Sequence, residues 1–122
     1  MAKILIADDS DAIRLVLKDI LSIGKHEVLA EAVDGAEAVD FYQKHSPDIL
    51  LLDLAMPKKD GLTVVKEIKE HDSNAKIILI TASDDQKVIN DCIQHGAKSY
   101  ISKPFDFNSV LKSITEIMEK NS

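Results

Sequence analysis

Residues 48–57, DILLLDLAMP, decide how the rest of the chain folds. Ile49 to Leu52 are apolar without alternation, which is the pattern of a strand buried on both faces of a parallel sheet. A lone carboxylate is costly to bury, so we expect Asp53 to emerge at the carboxyl end of this strand, where open α/β sheets bind ligands. An isolated Asp at this position could equally open a turn before Pro57, and the neighbouring segments must decide between the two interpretations.

Composition narrows the class of protein. A chain of 122 residues has the usual size of one domain, so residues 1–122 are expected to form a single domain. Fifteen Lys and Arg residues against 21 Asp and Glu residues give a net charge of −6, and no basic block favours direct nucleic-acid binding. The single cysteine, Cys92, excludes an internal disulfide, and no apolar run approaches the roughly 18 residues of a membrane span. These features predict a cytoplasmic protein without membrane insertion.

Short apolar runs alternate with helical patterns along the whole chain. Besides the central strand, the sequence predicts strands at 3–7, 27–33, 76–80 and 98–102, and each strand is followed by a helix. The first helix matches the i, i+3, i+4, i+7, i+8 template at Ile13, Val16, Leu17, Ile20 and Leu21. The fourth helix is expected to turn four side chains inward: Val88, Ile89, Cys92 and Ile93.

Strict alternation of strands and helices predicts a doubly wound α/β fold. Short connections between successive elements imply a five-stranded parallel sheet, right-handed crossovers and helices on both faces. Of the two common strand orders we expect 2-1-3-4-5, which places strands 1 and 3 side by side at the topological switch point.

This strand order would gather the polar residues that end the strands. Asp8, Asp9 and Asp53 would share one crevice, with Thr81 and Lys103 arriving from neighbouring strand ends. Two carboxylates about 4 Å apart repel by roughly 4 kcal/mol at an effective dielectric near 20, so the cluster requires a cation or raised pKa values. Oxygen ligands favour Mg²⁺, and Mg²⁺ beside a lysine is typical of phosphoryl-transfer sites. Asp53 remains as the nucleophile.

The same residues resemble a known family. Asp8-Asp9 after the first strand, Asp53 in Leu-Leu-Asp-Leu-Ala-Met-Pro, Thr81 in Ile-Thr-Ala-Ser and Lys103-Pro-Phe look like the receiver domain of two-component response regulators. The match extends along the whole chain and leaves nothing for an output domain, so the chain is most similar to the single-domain, chemotaxis-type (CheY-like) receivers. The resemblance implies a flavodoxin-like (βα)5 fold.

The resemblance also implies a phosphoacceptor and a metal site. Asp53 would accept the phosphoryl group, and Mg²⁺ would be held by Asp9, Asp53 and the backbone carbonyl of Ala55, with Asp8 acting mainly through water. In this family the side chains two positions after the phosphoacceptor and two after the threonine flank the path of the hydrolytic water. Here these are Ala55, a position often polar in chemotaxis members, and Ser83.

A switch is implied as well. Thr81 and Lys103 would bind the phosphoryl group, and Tyr100 would swing inward as the Thr81 hydroxyl moves toward it. The bond between Lys103 and Pro104 is commonly cis in relatives. A sensor histidine kinase would supply the phosphoryl group. A target protein would bind the face formed by the fourth helix, the fifth strand and the fifth helix of what we expect to be a monomer.

Chemotaxis or motility control is the expected pathway, with a phosphorelay shuttle as the alternative. A haloacid-dehalogenase-type phosphatase also uses an Asp nucleophile, but it needs a second Asp where this chain has Ala55. A flavodoxin-like flavin carrier would place phosphate against Asp8 and Asp9, which would repel it. A receiver that binds partners without being phosphorylated usually lacks part of the set Asp9, Asp53, Thr81 and Lys103, and all four are present.

Overall fold

Five β-strands alternate with five α-helices in the computed structural model, which describes residues 1–82 and 86–120. The strands are β1 (Lys3–Ala7), β2 (Glu27–Ala32), β3 (Ile49–Asp53), β4 (Ile77–Thr81) and β5 (Ser99–Ser102). The helices are α1 (Asp11–Ile23), α2 (Gly35–His45), α3 (Gly61–His71), α4 (Gln86–Gln94) and α5 (Phe107–Lys120). In the described part of the chain, no helix combines the length and the apolar character that crossing a bilayer would demand.

The strands form one parallel sheet in the order β2-β1-β3-β4-β5. This confirms the predicted doubly wound fold and its strand order. The central strand β3 pairs with β1 through Ile6 and Leu51, and with β4 through Leu51 and Ile78. β1 and β3 are therefore neighbours, and the chain leaves them toward opposite sides of the sheet, which opens the crevice at their carboxyl ends.

Alternate side chains of the central strand pack into two separate hydrophobic cores. Leu50 and Leu52 belong to a cluster with buried side chains of α2, α3 and α4, whereas Ile49 and Leu51 belong to a cluster with α1 and α5. All four side chains are fully buried. Both faces of the strand are covered by helices, which explains why its sequence shows no polar alternation.

Side-chain caps define where the helices begin. The Ser10 hydroxyl accepts a hydrogen bond from the Ile13 N–H at 3.2 Å, which caps α1. Asp34 accepts from the Glu37 N–H at 2.8 Å, and the Glu37 carboxylate accepts from the Val33 N–H at 3.0 Å. The pair resembles a capping box, except that Glu37 accepts from the N–H of Val33 and not from that of the N-cap residue Asp34.

Two helices bury a different stripe from the one that their apolar patterns predict. In α4 only Ile89 and Cys92 are buried, while Val88 and Ile93 are 36% and 37% exposed, so their predicted inward orientation is wrong. At 100° per residue, Val88 and Ile93 lie on either side of the line through Ile89 and Cys92, and the neighbouring elements cover only that line.

The stripe of α1 is displaced in a similar way. Val16, at one border of the apolar pattern, is 46% exposed, and Arg14, at the opposite border, is 9% exposed. The buried face therefore includes a cation that the hydrophobic pattern did not indicate. The partners of this guanidinium lie next to the acidic site described below.

An acidic site at the carboxyl ends of the strands

Three aspartates meet where β1 and β3 end. The pairing of Ala7 with Leu52 places the residues that follow, Asp8 and Asp53, next to each other. Asp8, Asp9 and Asp53 each offer a carboxylate oxygen, and these oxygens lie within 4.8 Å of one another. Asp8 and Asp53 are buried, whereas Asp9 is exposed. The structure thus brings the three predicted acids together.

Asp8 is fixed by contacts on both of its carboxylate oxygens. Oδ1 accepts a hydrogen bond from the backbone N–H of Ser10 at 2.9 Å, and Oδ2 accepts from Lys103 Nζ at 3.2 Å. A side chain held in this way has little freedom to turn toward a ligand. Asp9 and Asp53 are better placed for a direct contact, because both line the adjoining cavity.

Lys103 brings a positive charge among the acids. Its Nζ lies 3.2 Å from Asp8 Oδ2 and 3.6 Å from Asp53 Oδ1. The backbone N–H of Lys103 donates to the Thr81 carbonyl at 2.8 Å, so the end of β4 fixes the point from which this side chain extends. The peptide bond between Lys103 and Pro104 is cis.

The environment of Asp53 makes its negative charge costly. Burial raises the pKa of Asp53, and the carboxylates of Asp8 and Asp9 act in the same direction. The Ala55 N–H, which donates to Asp53 Oδ1 at 3.2 Å, and the Lys103 ammonium oppose this increase in pKa. Three carboxylates against one ammonium leave two negative charges when all are ionised, so a divalent cation would balance the site.

The chemistry of the donor set fits a hard cation such as Mg²⁺. Asp9, Asp53 and Ala55 line a cavity of about 610 Å³, and carboxylate and carbonyl oxygens are the ligands that Mg²⁺ prefers. Because Mg²⁺ commonly retains several waters, a few protein ligands are sufficient. The cavity also leaves room for a small anionic group beside Lys103.

The remaining predicted residues are divided between the cavity and its surroundings. Thr81, buried at the end of β4, lines the cavity. Tyr100 pairs with Leu79 on the edge strand β5, and its side chain is 44% exposed. Ser83 lies outside the described residues.

Sequence reasoning missed two contributors to this region. Val88, assigned to the core by its spacing, lines the cavity instead. Arg14 donates a hydrogen bond from Nη1 to the carbonyl oxygen of Asp8 at 2.6 Å. The signal for Arg14 was a single basic residue at the border of an otherwise apolar helix face.

The fold and the site define a class of protein that comparison with known families identifies. The model of the response regulator receiver domain matches residues 4–115. The chain therefore belongs to the response regulator receiver domain family, whose members are signalling switches and not enzymes in the usual sense.

Individual relatives extend the match along nearly the whole chain. Chemotaxis protein CheY of Bacillus subtilis (strain 168) is 46% identical over 116 residues, covering 95% of this chain and 97% of the relative. Sporulation initiation phosphotransferase F of the same organism is 31% identical over 120 residues, covering 98% and 96%. A solved structure described as the CheX-CheY-BeF3-Mg²⁺ complex from Borrelia burgdorferi matches with a TM-score of 0.91 and 37% identity, covering 95% of this chain and 88% of that chain. The chain is homologous to the CheY proteins.

Proposed function

We propose that this receiver accepts a phosphoryl group on Asp53 from a sensor histidine kinase and thereby switches its binding to a target protein in chemotaxis or motility control. The observation that carries the proposal is the position of Asp53 at the end of the central strand, with Lys103 Nζ 3.6 Å from its Oδ1 in a cavity also lined by Asp9 and Thr81. The setting is cytoplasmic, where a kinase reaches a receiver.

The transfer step requires only groups that this site provides. A carboxylate oxygen of Asp53 attacks the phosphorus of a kinase phosphohistidine, so that the O–P bond forms while the N–P bond breaks. The imidazole leaves with the electron pair of the N–P bond and takes up a proton. Lys103 and Thr81 then bind oxygens of the new acyl phosphate. Hydrolysis by water returns Asp53 and inorganic phosphate, and it is the only other reaction that we assign to the chain.

Asp9, Asp53 and the carbonyl oxygen of Ala55 would hold the cation, and Asp8 would contact it through water. When bound, Mg²⁺ supplies positive charge to the phosphoryl oxygens as the transfer proceeds. The homologous complex with BeF3 and Mg²⁺ supports this assignment. Burial, together with the two neighbouring carboxylates, makes the negative charge of Asp53 costly, and this is the physical reason why the site would hold a cation.

The output surface is the face formed by α4, β5 and α5. Tyr100 and Phe107 are 44% and 49% exposed on this face, and Val88 is exposed at the start of α4. Because Val88 and Thr81 line the same cavity, α4 borders the phosphoryl site as well as forming part of the output face. We assign Tyr100 the role of the switch that moves inward as Thr81 moves toward the phosphoryl group. The complex of a homologous CheY with CheX supports binding of a protein partner.

A phosphorelay shuttle remains the second candidate, favoured by the similarity to sporulation initiation phosphotransferase F. The two functions differ in the fate of the phosphoryl group. A chemotaxis receiver keeps it until hydrolysis, whereas a shuttle passes it to a histidine of another protein. A chase of phosphorylated protein with lysate, followed by detection of label on histidine, distinguishes the two.

The proposed chemistry is tested by labelling with acetyl phosphate and Mg²⁺, followed by mapping of the modified residue with mass spectrometry. We expect the label on Asp53, no label in Asp53→Asn, and normal labelling in the control Asp40→Asn, which changes an exposed acid on α2. Label on another residue of the wild-type protein, or labelling that does not depend on Mg²⁺, would rule out this mechanism. Asp9→Ala should weaken Mg²⁺ binding.

A further inference from the structure

Arg14 connects α1, β2 and the loop that carries the acids. Its Nη1 donates to the carbonyl oxygen of Asp8 at 2.6 Å, its Nε donates to Glu31 Oε1 at 3.1 Å, and its Nη2 pairs with Asp11. Burial of a guanidinium is costly unless its donors are satisfied. Here all three nitrogens have partners, so the side chain is fixed in one orientation.

The bond to the Asp8 carbonyl restrains a particular peptide unit. This carbonyl belongs to the peptide that joins Asp8 to Asp9, and its orientation determines the direction in which the Asp9 side chain leaves the backbone. On the other side of the same peptide, the Asp8 carboxylate is held by the Ser10 N–H and by Lys103. Glu31 on β2 anchors the guanidinium to the sheet and not to the loop itself.

We propose that Arg14 is a positioning residue for the cation site: it fixes the peptide between Asp8 and Asp9 so that the Asp9 carboxylate faces Asp53. This inference rests on the proposed function, since it concerns the cation that Asp9 and Asp53 would share. Residues that orient metal ligands commonly change metal affinity by about 10-fold or more when they are altered.

If Arg14 acted only through its charge, its replacement would change the Mg²⁺ affinity in the opposite direction. Arg14 is a cation near a cation site, so removal of its charge alone should strengthen Mg²⁺ binding by reducing repulsion. Loss of the restraint on the Asp8 carbonyl should weaken binding, because Asp9 would have to be ordered by the metal itself. The direction of the change therefore separates positioning from electrostatics.

The test is a titration of metal-free protein with MgCl2, followed by calorimetry or NMR. Arg14→Gln removes both charge and donors, and Arg14→Lys keeps the charge but cannot reach the Asp8 carbonyl and Glu31 together. We expect each variant to bind Mg²⁺ about 10-fold more weakly than the wild type. The matched control is Lys18→Gln, since Lys18 lies on the same helix as Arg14 and its Nζ is 3.1 Å from Glu31 Oε2. The Mg²⁺ affinity of Lys18→Gln should equal that of the wild type or be slightly higher.

A second measurement does not depend on metal. Amide hydrogen exchange of Asp9 and Ser10 in metal-free protein should accelerate in both Arg14 variants and stay unchanged in Lys18→Gln. Where an Arg14 variant fails to fold by circular dichroism, Glu31→Gln replaces it in the hydrogen-exchange measurement, because this change weakens the anchor and should give a smaller acceleration at Asp9 and Ser10.

Two outcomes have separate meanings. Arg14 variants that bind Mg²⁺ as tightly as the wild type, or more tightly, would overturn the positioning role while leaving the proposed function intact. A wild-type protein that does not bind Mg²⁺ would contradict the proposed function. In that case hydrogen exchange at Asp9 would be the only measurement that decides whether Arg14 fixes the peptide.

Discussion

Lys103 Nζ donates a hydrogen bond of 3.2 Å to Asp8 Oδ2, although 95 residues separate the two in the chain. Lys103 follows the edge strand β5, and Asp8 follows β1, which lies on the far side of β4 and β3. The lysine therefore reaches across two strand ends to join opposite sides of the site. Any movement of the β5 end toward a phosphoryl group must alter this contact.

Replacement of Lys103 should separate metal binding from output. In Lys103→Ala we expect Mg²⁺ to bind at least as tightly as in the wild type, because the competing ammonium is gone. Activation by beryllofluoride should no longer increase affinity for the target, since the ionic contact between the phosphoryl oxygens and the end of β5 is lost. Partner binding measured with and without beryllofluoride tests this, with the exposed Lys98→Ala as the control. A normal increase in affinity in Lys103→Ala would contradict the role.

Activation should alter the output face through a shift between two existing conformations. The increase in partner affinity should correspond to a coupling free energy of about 1–3 kcal/mol. We expect NMR shift changes within residues 84–110 when beryllofluoride and Mg²⁺ are added, and none in Asp53→Asn. Shift changes that spare this whole segment would show that the signal leaves by another surface.

The phosphorylated state should be long-lived. The side chain of Ala55 cannot hydrogen-bond a water, and Ser83 has a short side chain, so we expect the water that attacks phosphorus to be poorly positioned. Ala55→Asn combined with Ser83→Glu should accelerate spontaneous dephosphorylation several-fold in a radiolabel chase, while Mg²⁺ affinity stays unchanged. Equal decay rates in the double variant and the wild type would show that these two positions do not determine the lifetime.

The central strand should tolerate truncation poorly. Leu51 is fully buried between the sheet and the helices α1 and α5, so Leu51→Ala leaves a cavity and should lower the free energy of unfolding by about 2–5 kcal/mol. Leu15→Ala, at a side chain that is 58% exposed, is the control and should have little effect. Urea denaturation provides both values. Similar losses in the two variants would be inconsistent with the burial described here.

Stability should fall on mild acidification because of His26. Its Nδ1 accepts a hydrogen bond from the Ala2 N–H at 3.0 Å, and desolvation together with the nearby amino terminus lowers its pKa below the usual 6.5. The unfolded chain therefore binds more protons than the folded one just below pH 6.5, so stability is lost as pH falls from 6.5 toward the folded pKa. In His26→Asn the difference in unfolding free energy between pH 7 and pH 5 should shrink. The exposed His71→Asn should retain it.

The sheet and the location of the site could be predicted because both depend on a short-range signal. An unbroken apolar run such as Ile49 to Leu52 can be satisfied only by cover on both faces, which requires the helices and their crossovers. Once β1 and β3 are adjacent, Asp8 and Asp53 must meet, whatever the details of the loops. The sheet and the position of the acidic site could therefore be predicted from short runs of neighbouring residues.

The width of each buried helix stripe could not be predicted in the same way. Val88 and Ile93 are apolar and correctly spaced, but they are exposed because the elements around α4 cover only part of its surface. Arg14 is buried because Asp8, Asp11 and Glu31 come together around it. Asp11 is a regular i, i+3 neighbour on the helix, but Glu31 lies 17 residues away on β2, and the Asp8 contact is to a backbone carbonyl that leaves no signal in the sequence. Such features depend on tertiary contacts.

Leu51 and Leu52 are adjacent in the central strand, but their side chains pack into different hydrophobic clusters. Leu51 packs with α1 and α5, and Leu52 packs with α2, α3 and α4, with the sheet backbone between them. Packing changes on one side reach the other only through that backbone, so substitutions in the two layers should be nearly additive. Selection can therefore remodel the layer of α2 to α4 while the layer of α1 and α5 stays as it is. Chimeras of two relatives need to agree only in the strands that they share.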